Sequence, residues 1–171
     1  LTVTAGTTWR ATDKLTLEAG ARQEFSRVTS EGDVVLEKSL RFLKPRAALT
    51  WNATPLTQVR VRLEREVGQL NFDDFVASTD FNTGSGVSAG NPDLDPEQAW
   101  VGEAALEQKL FGATAVVTYR HSELTDVIDR GPVEVRTTDP VTGEVEVTFF
   151  DTPTNIGSGT KDELILNLTA P

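Results

Sequence analysis

Leu15-Thr16-Leu17-Glu18-Ala19-Gly20-Ala21-Arg22-Gln23-Glu24-Phe25-Ser26 is the stretch whose reading decides the fold. Its odd positions read Leu, Leu, Ala, Ala, Gln, Phe, and its even positions read Thr, Glu, Gly, Arg, Glu, Ser. A period of two belongs to a β-strand, because successive side chains point to opposite faces of a sheet. One face is apolar and the other carries charge. The design returns from Thr57, where Val59, Val61, Leu63 and Val67 oppose Gln58, Arg60, Arg62, Glu64 and Glu66. Arg65 interrupts that apolar row, as expected where a row nears an interface. Stretches beginning near Leu1, Ala47, Trp100, Ala113 and Leu164 alternate in the same way, with Val116 an exception. Helical periodicity is weak throughout. The expected fold is all-β and antiparallel, with about seven long strands.

Composition sets the remaining bounds. The chain has 171 residues and a net charge of −10, which argues against a general nucleic-acid binder, since that needs a basic face. It has no Cys, hence no disulfide framework and no Cys-ligated zinc. It opens with Leu1 and contains no Met, so a processed chain or a piece of a longer one is expected. No apolar run approaches the roughly 18–20 residues of a membrane-spanning helix. A transmembrane β-strand is short and only half apolar, so membranes stay open as a destination.

The connections alternate in length. Ala11–Lys14, Asn52–Leu56 and Lys109–Gly112 are short, whereas Thr29–Leu43 and Gly68–Glu97 are long. Asp139-Pro140-Val141-Thr142-Gly143 is turn-rich and joins two long strands, Ala113 to Thr138 and Glu144 to Thr169. Short turns at one end and long loops at the other mark an outer-membrane barrel. Trp9, Trp51 and Phe111 lie at the short turns, and Phe25, Trp100 and Tyr119 lie toward the long loops. Amphipathic rings favour membrane–water interfaces, so two aromatic girdles are expected. The competing reading is a soluble or secreted β protein for binding or adhesion, with its apolar rows buried between two sheets.

Gly90-Asn91-Pro92-Asp93-Leu94-Asp95-Pro96-Glu97-Gln98-Ala99-Trp100 resembles the "GNPxLxPE" element of TonB-dependent outer-membrane receptors, which ends a long extracellular loop and starts a barrel strand. Glu103–Gly112 resembles the descending strand and periplasmic turn that follow, and Ala115–Ile128 the next ascending strand. Asn155-Ile156-Gly157 through Glu163-Leu164 resembles the strand after that, as a loose match, and Phe42–Trp51 and Arg65–Phe75 resemble earlier barrel strands. The resemblance implies a partial barrel over residues 1–171, an up-and-down segment of a wall of about 22 strands, without the plug and energy-coupling segment. It further implies a receptor for energy-dependent uptake of a scarce nutrient, foremost a ferric siderophore, in the Gram-negative outer membrane. The implied partners are outer-membrane lipid, the rest of the barrel and its plug, TonB through the N-terminal part not in this chain, and a small ligand such as a metal chelate. A nucleic-acid partner is not expected.

Asn91, Pro92, Leu94, Pro96 and Glu97 carry this resemblance and are expected to be architectural. Pro92 and Pro96 fix φ and hold the preceding residues extended, which stiffens the return from a loop into the wall. Phe72, Asp73, Asp74, Phe75 and Phe81 are loop candidates for ligand contact, with packing the blander alternative. His121 is the only His, with no second His or Cys to complete a metal or nucleophile constellation. Without such a constellation, neither a catalytic site, a cofactor nor an enzyme is expected. Arg60, Arg62, Glu64 and Glu66 are expected to form cross-strand ion pairs on a polar wall.

Overall fold

A computed structural model describes all residues except 31–35, 71–78, 83–85, 90, 92, 139–141 and 171. Seven long strands form a meander: β1 (Thr2–Thr12), β2 (Leu15–Ser30), β3 (Leu36–Thr54), β4 (Thr57–Val67), β7 (Gln98–Leu110), β8 (Ala113–Thr138) and β9 (Val145–Thr169). Two short strands, β5 (Thr79–Asn82) and β6 (Gly86–Ala89), form a hairpin inside the long 68–97 connection. All nine lie in one sheet, ordered β1-β2-β3-β4-β7-β8-β9-β6-β5. The long strands pair antiparallel with their sequence neighbours, and among the described residues only the Ser88–Asp151 bridge between β6 and β9 is parallel. A two-sheet sandwich is therefore not formed among the described residues.

Register joins the rows read from sequence into continuous bands. Leu17 lies opposite Trp9 and Leu49, Leu49 opposite Val61, Val61 opposite Ala104, and Leu106 opposite Val117, which faces Leu166. Residues directly opposite share a face, so these side chains form one apolar surface. It is exposed: Trp9, Trp51, Val61, Leu106, Val117, Leu164, Leu166 and Leu168 all stand open. On the other face Arg62 meets Glu103, and Glu103 meets Arg120, which lies opposite Glu163. The few buried residues, among them Val101, Ala105 and Ser122, belong to this second face or its upper rim.

The connections sort by end. Turns at residues 13–14, 55–56 and 111–112 lie at one end, and the strand ends joined by the longer connections, Ser30 and Leu36, Val67 and Gln98, Thr138 and Val145, lie at the other. The 111–112 turn needs positive φ at both residues, which Gly112 (φ 85°) takes freely and Phe111 (φ 51°) does not. Phe111 is fully exposed there.

Two expectations change. The Thr29–Leu43 segment is mostly strand, because β2 runs to Ser30 and β3 begins at Leu36. Conversely the strand that the resemblance placed over Arg65–Phe75 ends at Val67, where the connection expected from Gly68 begins. One cause lies on the neighbouring strand. The β3–β4 ladder stops at Arg46–Glu64, and the next residue on β3 is Pro45, which has no N–H to donate. Above that point β3 and β4 separate, and side chains span the gap. Lys44 Nζ donates to the Val67 carbonyl (3.4 Å) and Arg65 Nη1 donates to the Leu43 carbonyl (3.4 Å). A notch opens in the wall between the tall β2–β3 and β8–β9 hairpins.

Candidate functional site

Asn91 and residues 93–97 occupy that notch. The Gly68 N–H donates to the Glu97 carbonyl (2.7 Å), closing the base of the 68–97 loop one step beyond the Val67–Gln98 pair. Asn91 shapes the entry: its Oδ1 accepts from the Asp93 N–H (3.0 Å) and its carbonyl from the Leu94 N–H (3.2 Å). An Asn side chain that bonds the backbone two residues on makes a local turn. Its Nδ2 donates outward to the Pro153 carbonyl on β9 (3.0 Å). Leu94 is 1% exposed, the most buried large side chain described along with Val101, and Pro96 is also buried.

Two strands hold the segment from opposite sides. From β3, Lys38 Nζ donates to the Asp93 carbonyl (3.2 Å) and the Leu94 carbonyl (2.7 Å) and pairs with the Asp95 carboxylate (3.0 Å). From β9, Asn155 accepts from the Asp95 N–H (2.9 Å) and donates Nδ2 to the Asp95 carbonyl (2.9 Å) and to the Asp126 carbonyl on β8 (2.7 Å). Asp126 sits at a register shift with φ 56°, and its carboxylate accepts from Gln98 Nε2 (2.9 Å). Gln98 Oε1 in turn accepts from Arg65, which reaches the Leu43 carbonyl. Polar contacts thus run from β3 through the 91–97 segment to β9, β8, β7, β4 and back to β3. Gly157 (φ 124°) supplies the matching irregularity on β9.

The polar face carries the ion-pair ladder expected from β4. Arg62 contacts Glu103 (3.0 Å) and Glu64 (3.2 Å), Arg60 contacts Glu107 (3.6 Å), and Arg120 contacts Glu66 (3.1 Å) and Glu163 (4.0 Å). On β2 and β3, Lys44 pairs with Glu24 (2.7 Å) and Arg46 with Glu18 (3.7 Å). A shallow cleft of about 650 Å³ overlies this wall where Gly6 and Gly20 lie opposite each other. A Cβ on Gly20 would sit 2.9 Å from the Ala5 carbonyl oxygen, so the close strand contact requires glycine there.

The other candidates separate. Phe72, Asp73, Asp74 and Phe75 lie outside the described residues, as does Pro92. Phe81 is on β5, opposite Val87 in the small hairpin, where the backbone alone is described. His121 is half-exposed, and its Nδ1 meets Asp162 Oδ1 at 2.7 Å, an oxygen that also accepts from Tyr119 Oη at 2.7 Å. No group of three His, Asp or Glu among the described residues could hold a metal ion. Lys38, Gln98, Asp126 and the role of Asn155 were not legible from sequence. Lys38 falls in the segment read as a connection, and Asn155 stood out only as part of the Asn-x-Gly match.

One meandering sheet, apolar on its outer face and charged on the other, with short turns at one end and long connections at the other, is the wall of an outer-membrane-type β-barrel. The family model described as "TonB dependent receptor-like, beta-barrel" matches residues 2–161, and the chain belongs to that family. The siderophore receptor PirA from Pseudomonas aeruginosa superposes with a TM-score of 0.70 at 16% identity, over 99% of this chain and 31% of that one. A mutant of the ferric enterobactin receptor PfeA from P. aeruginosa gives 0.71 at 15%, over 99% and 24%. A double mutant of the Serratia marcescens hemophore receptor HasR, in complex with its hemophore HasA and heme, gives 0.73 at 14%, over 99% and 31%. At these identities the likeness is one of fold. The chain spans 24–31% of the length of these receptors. No curated protein sequence matches the chain.

Proposed function

We propose that residues 1–171 form one contiguous portion of a larger TonB-dependent receptor barrel. In this reading the receptor takes up a scarce nutrient, foremost a ferric siderophore, across a Gram-negative outer membrane. The observation that carries the reading is family membership over residues 2–161, joined to a sheet with one exposed apolar face and one ion-paired face. Among the described residues the sheet ends at β1 on one side, which pairs with β2 alone, and in lipid each unpaired backbone group costs several kcal/mol. Further strands would complete the wall, and a plug would fill the interior against the charged face. TonB would act on the plug, so these residues supply wall and loops and carry out no chemical step. The names of the similar structures, two siderophore-type receptors and a hemophore receptor, favour a metal chelate or heme as ligand class.

Asn91, Leu94, Pro96 and Glu97 have an architectural role in this reading. They seat the return of the 68–97 loop and leave its upper part to face the ligand. The test uses the full-length protein that carries this segment, expressed in a host lacking its own siderophore receptors. Uptake of iron from ferric siderophores is measured with and without an uncoupler. Uptake that needs both the receptor and an energised membrane is the expected result. Deleting Thr79–Ser88 should lower uptake while leaving outer-membrane insertion intact. Unchanged uptake in the deletion removes the loop from ligand contact, and failure to fractionate with the outer membrane removes the receptor reading.

A further inference from the structure

β9 differs along its length on the side away from β8. Low on the strand, Leu164, Leu166 and Leu168 are 71–75% exposed. Val61, Leu106 and Val117 share their face but have a strand on each side, and they are 40–46% exposed. Among the described residues no strand lies beyond this lower part of β9. Higher up the strand is covered: Thr152 is 8% exposed and Pro153 is buried.

The chain itself reaches that upper edge. Sheet order places β6 and then β5 beyond β9, and β6 joins β9 through the Ser88–Asp151 bridge. Three residues on, Asn91 Nδ2 donates to the Pro153 carbonyl (3.0 Å). The chain then passes Asn155 and the Asp126 carbonyl to enter β7 at Gln98. The 68–97 connection thus leaves at β4, adds a strand to the far edge of β9 and returns across β9 and β8. The bridge is parallel, whereas neighbouring wall strands of a barrel pair antiparallel. Pro153 has no N–H to offer, and its carbonyl already accepts from Asn91. A strand climbing along β9 would find no donor and an engaged acceptor at that residue.

We infer that the far edge of β9 is divided. Below Asn155 it takes a further antiparallel strand of the same receptor's wall, and above Asn155 it is reserved for β6 and Asn91, which end that strand's ladder at Pro153. The inference rests on the proposed barrel. The test uses the full-length protein in outer-membrane preparations, as wild type, the Thr79–Ser88 deletion and Ser88→Pro, with heat-modifiable gel mobility verifying folding. Hydrogen exchange within residues 147–153 should be about tenfold faster in both variants than in wild type. Exchange within residues 162–169 should be slow and equal in all three. Ser88→Cys combined with Asp151→Cys should form a disulfide on mild oxidation, because paired strands bring Cα atoms within disulfide reach. Ser88→Cys combined with Thr160→Cys should not. Equal exchange of residues 147–153 in wild type and both variants overturns the reserved upper edge and leaves the receptor reading standing, as does failure of the 88–151 disulfide to form. Fast exchange of residues 162–169 in the folded wild type overturns the strand below. A protein that never reaches the outer membrane overturns the receptor reading itself.

Discussion

Asn155 holds Asp95 as a neighbouring strand would, accepting from its N–H and donating to its carbonyl, each at 2.9 Å. A single side-chain amide thus substitutes for one rung of a ladder between β9 and the 91–97 segment, where no regular pairing exists. The same Nδ2 also reaches the Asp126 carbonyl at 2.7 Å, so one residue ties the end of the 68–97 loop to two strands. Backbone groups at Asp95 and Asp126 would otherwise turn to solvent, and each such intramolecular hydrogen bond contributes about 0.5–1.5 kcal/mol net.

Asn155→Ala should therefore loosen the loop end without disturbing the wall. The expected local cost is about 1–3 kcal/mol. Hydrogen exchange at residues 93–97 should speed up by one to two orders of magnitude on that basis, while amides of β7 and β8 keep their protection. Asn155→Asp keeps the acceptor and loses both donations, so it should fall between Ala and wild type. Equal protection in Asn155→Ala and wild type would falsify the clamp.

Lys38→Met tests the opposite side. Met keeps most of the apolar stem and removes the two carbonyl contacts and the pairing with Asp95. The Lys38 side chain is 20% exposed, so a partly desolvated charge-assisted contact is lost, worth about 1–2 kcal/mol. A reporter thiol introduced by Leu94→Cys should become several-fold more reactive to a thiol reagent in the Lys38→Met background. High salt should reproduce only part of this effect, because the carbonyl hydrogen bonds are not screened as an exposed ion pair is. No change in the reactivity of that thiol would show that β9 alone seats the segment.

The proposed orientation of the wall in lipid makes a third prediction. Val61 and Leu106 stand on the apolar face near mid-strand, so Arg at either should destabilise the full-length barrel by ~2–4 kcal/mol in vesicles. Thr114 lies on the charged face opposite Lys109, and Arg there should cost well under half as much. Unfolding by guanidinium from vesicles gives both values. Similar costs at Val61 and Thr114 would contradict the assignment of faces.

The inner ladder can be probed by a double-mutant cycle. Arg62 lies between Glu64 and Glu103, so Arg62→Met leaves two half-buried carboxylates close to each other. It should cost about 1–2 kcal/mol. Adding Glu103→Leu should recover part of that loss, giving a non-zero coupling energy. Strictly additive effects would mean the contact is a solvated surface pair of the kind that contributes almost nothing.

The alternation in Leu15–Phe25 and Val59–Val67 was legible because a sheet maps parity directly onto face. The tall β8–β9 hairpin, Ala113–Thr138 and Val145–Thr169, was legible too, since the turn residues between its arms stand out. The end of β4 at Val67 was legible from the alternating row and from the connection that opens at Gly68, against the strand that the resemblance placed over Arg65–Phe75. Its cause was not legible: the missing N–H of Pro45 lies on the adjacent strand, and that effect needs the register. Lys38 was hidden for a similar reason. It sits in a segment that reads as a connection until β3 is seen to begin at Leu36, and its three partners are 55 to 57 positions away in sequence.

By itself the sequence determined which residues share the apolar face and which share the charged face, because that depends only on period and polarity along each strand. It also determined where the chain turns tightly, through Gly112 and the Pro-containing turns. What only the tertiary structure decided is how the open part of the wall is closed. Lys38, Asp95, Asn155, Asp126, Gln98 and Arg65 come from segments that share no local pattern. Their hydrogen bonds form because strand register brings them to one rim, and register is a property of paired strands rather than of any one stretch of chain.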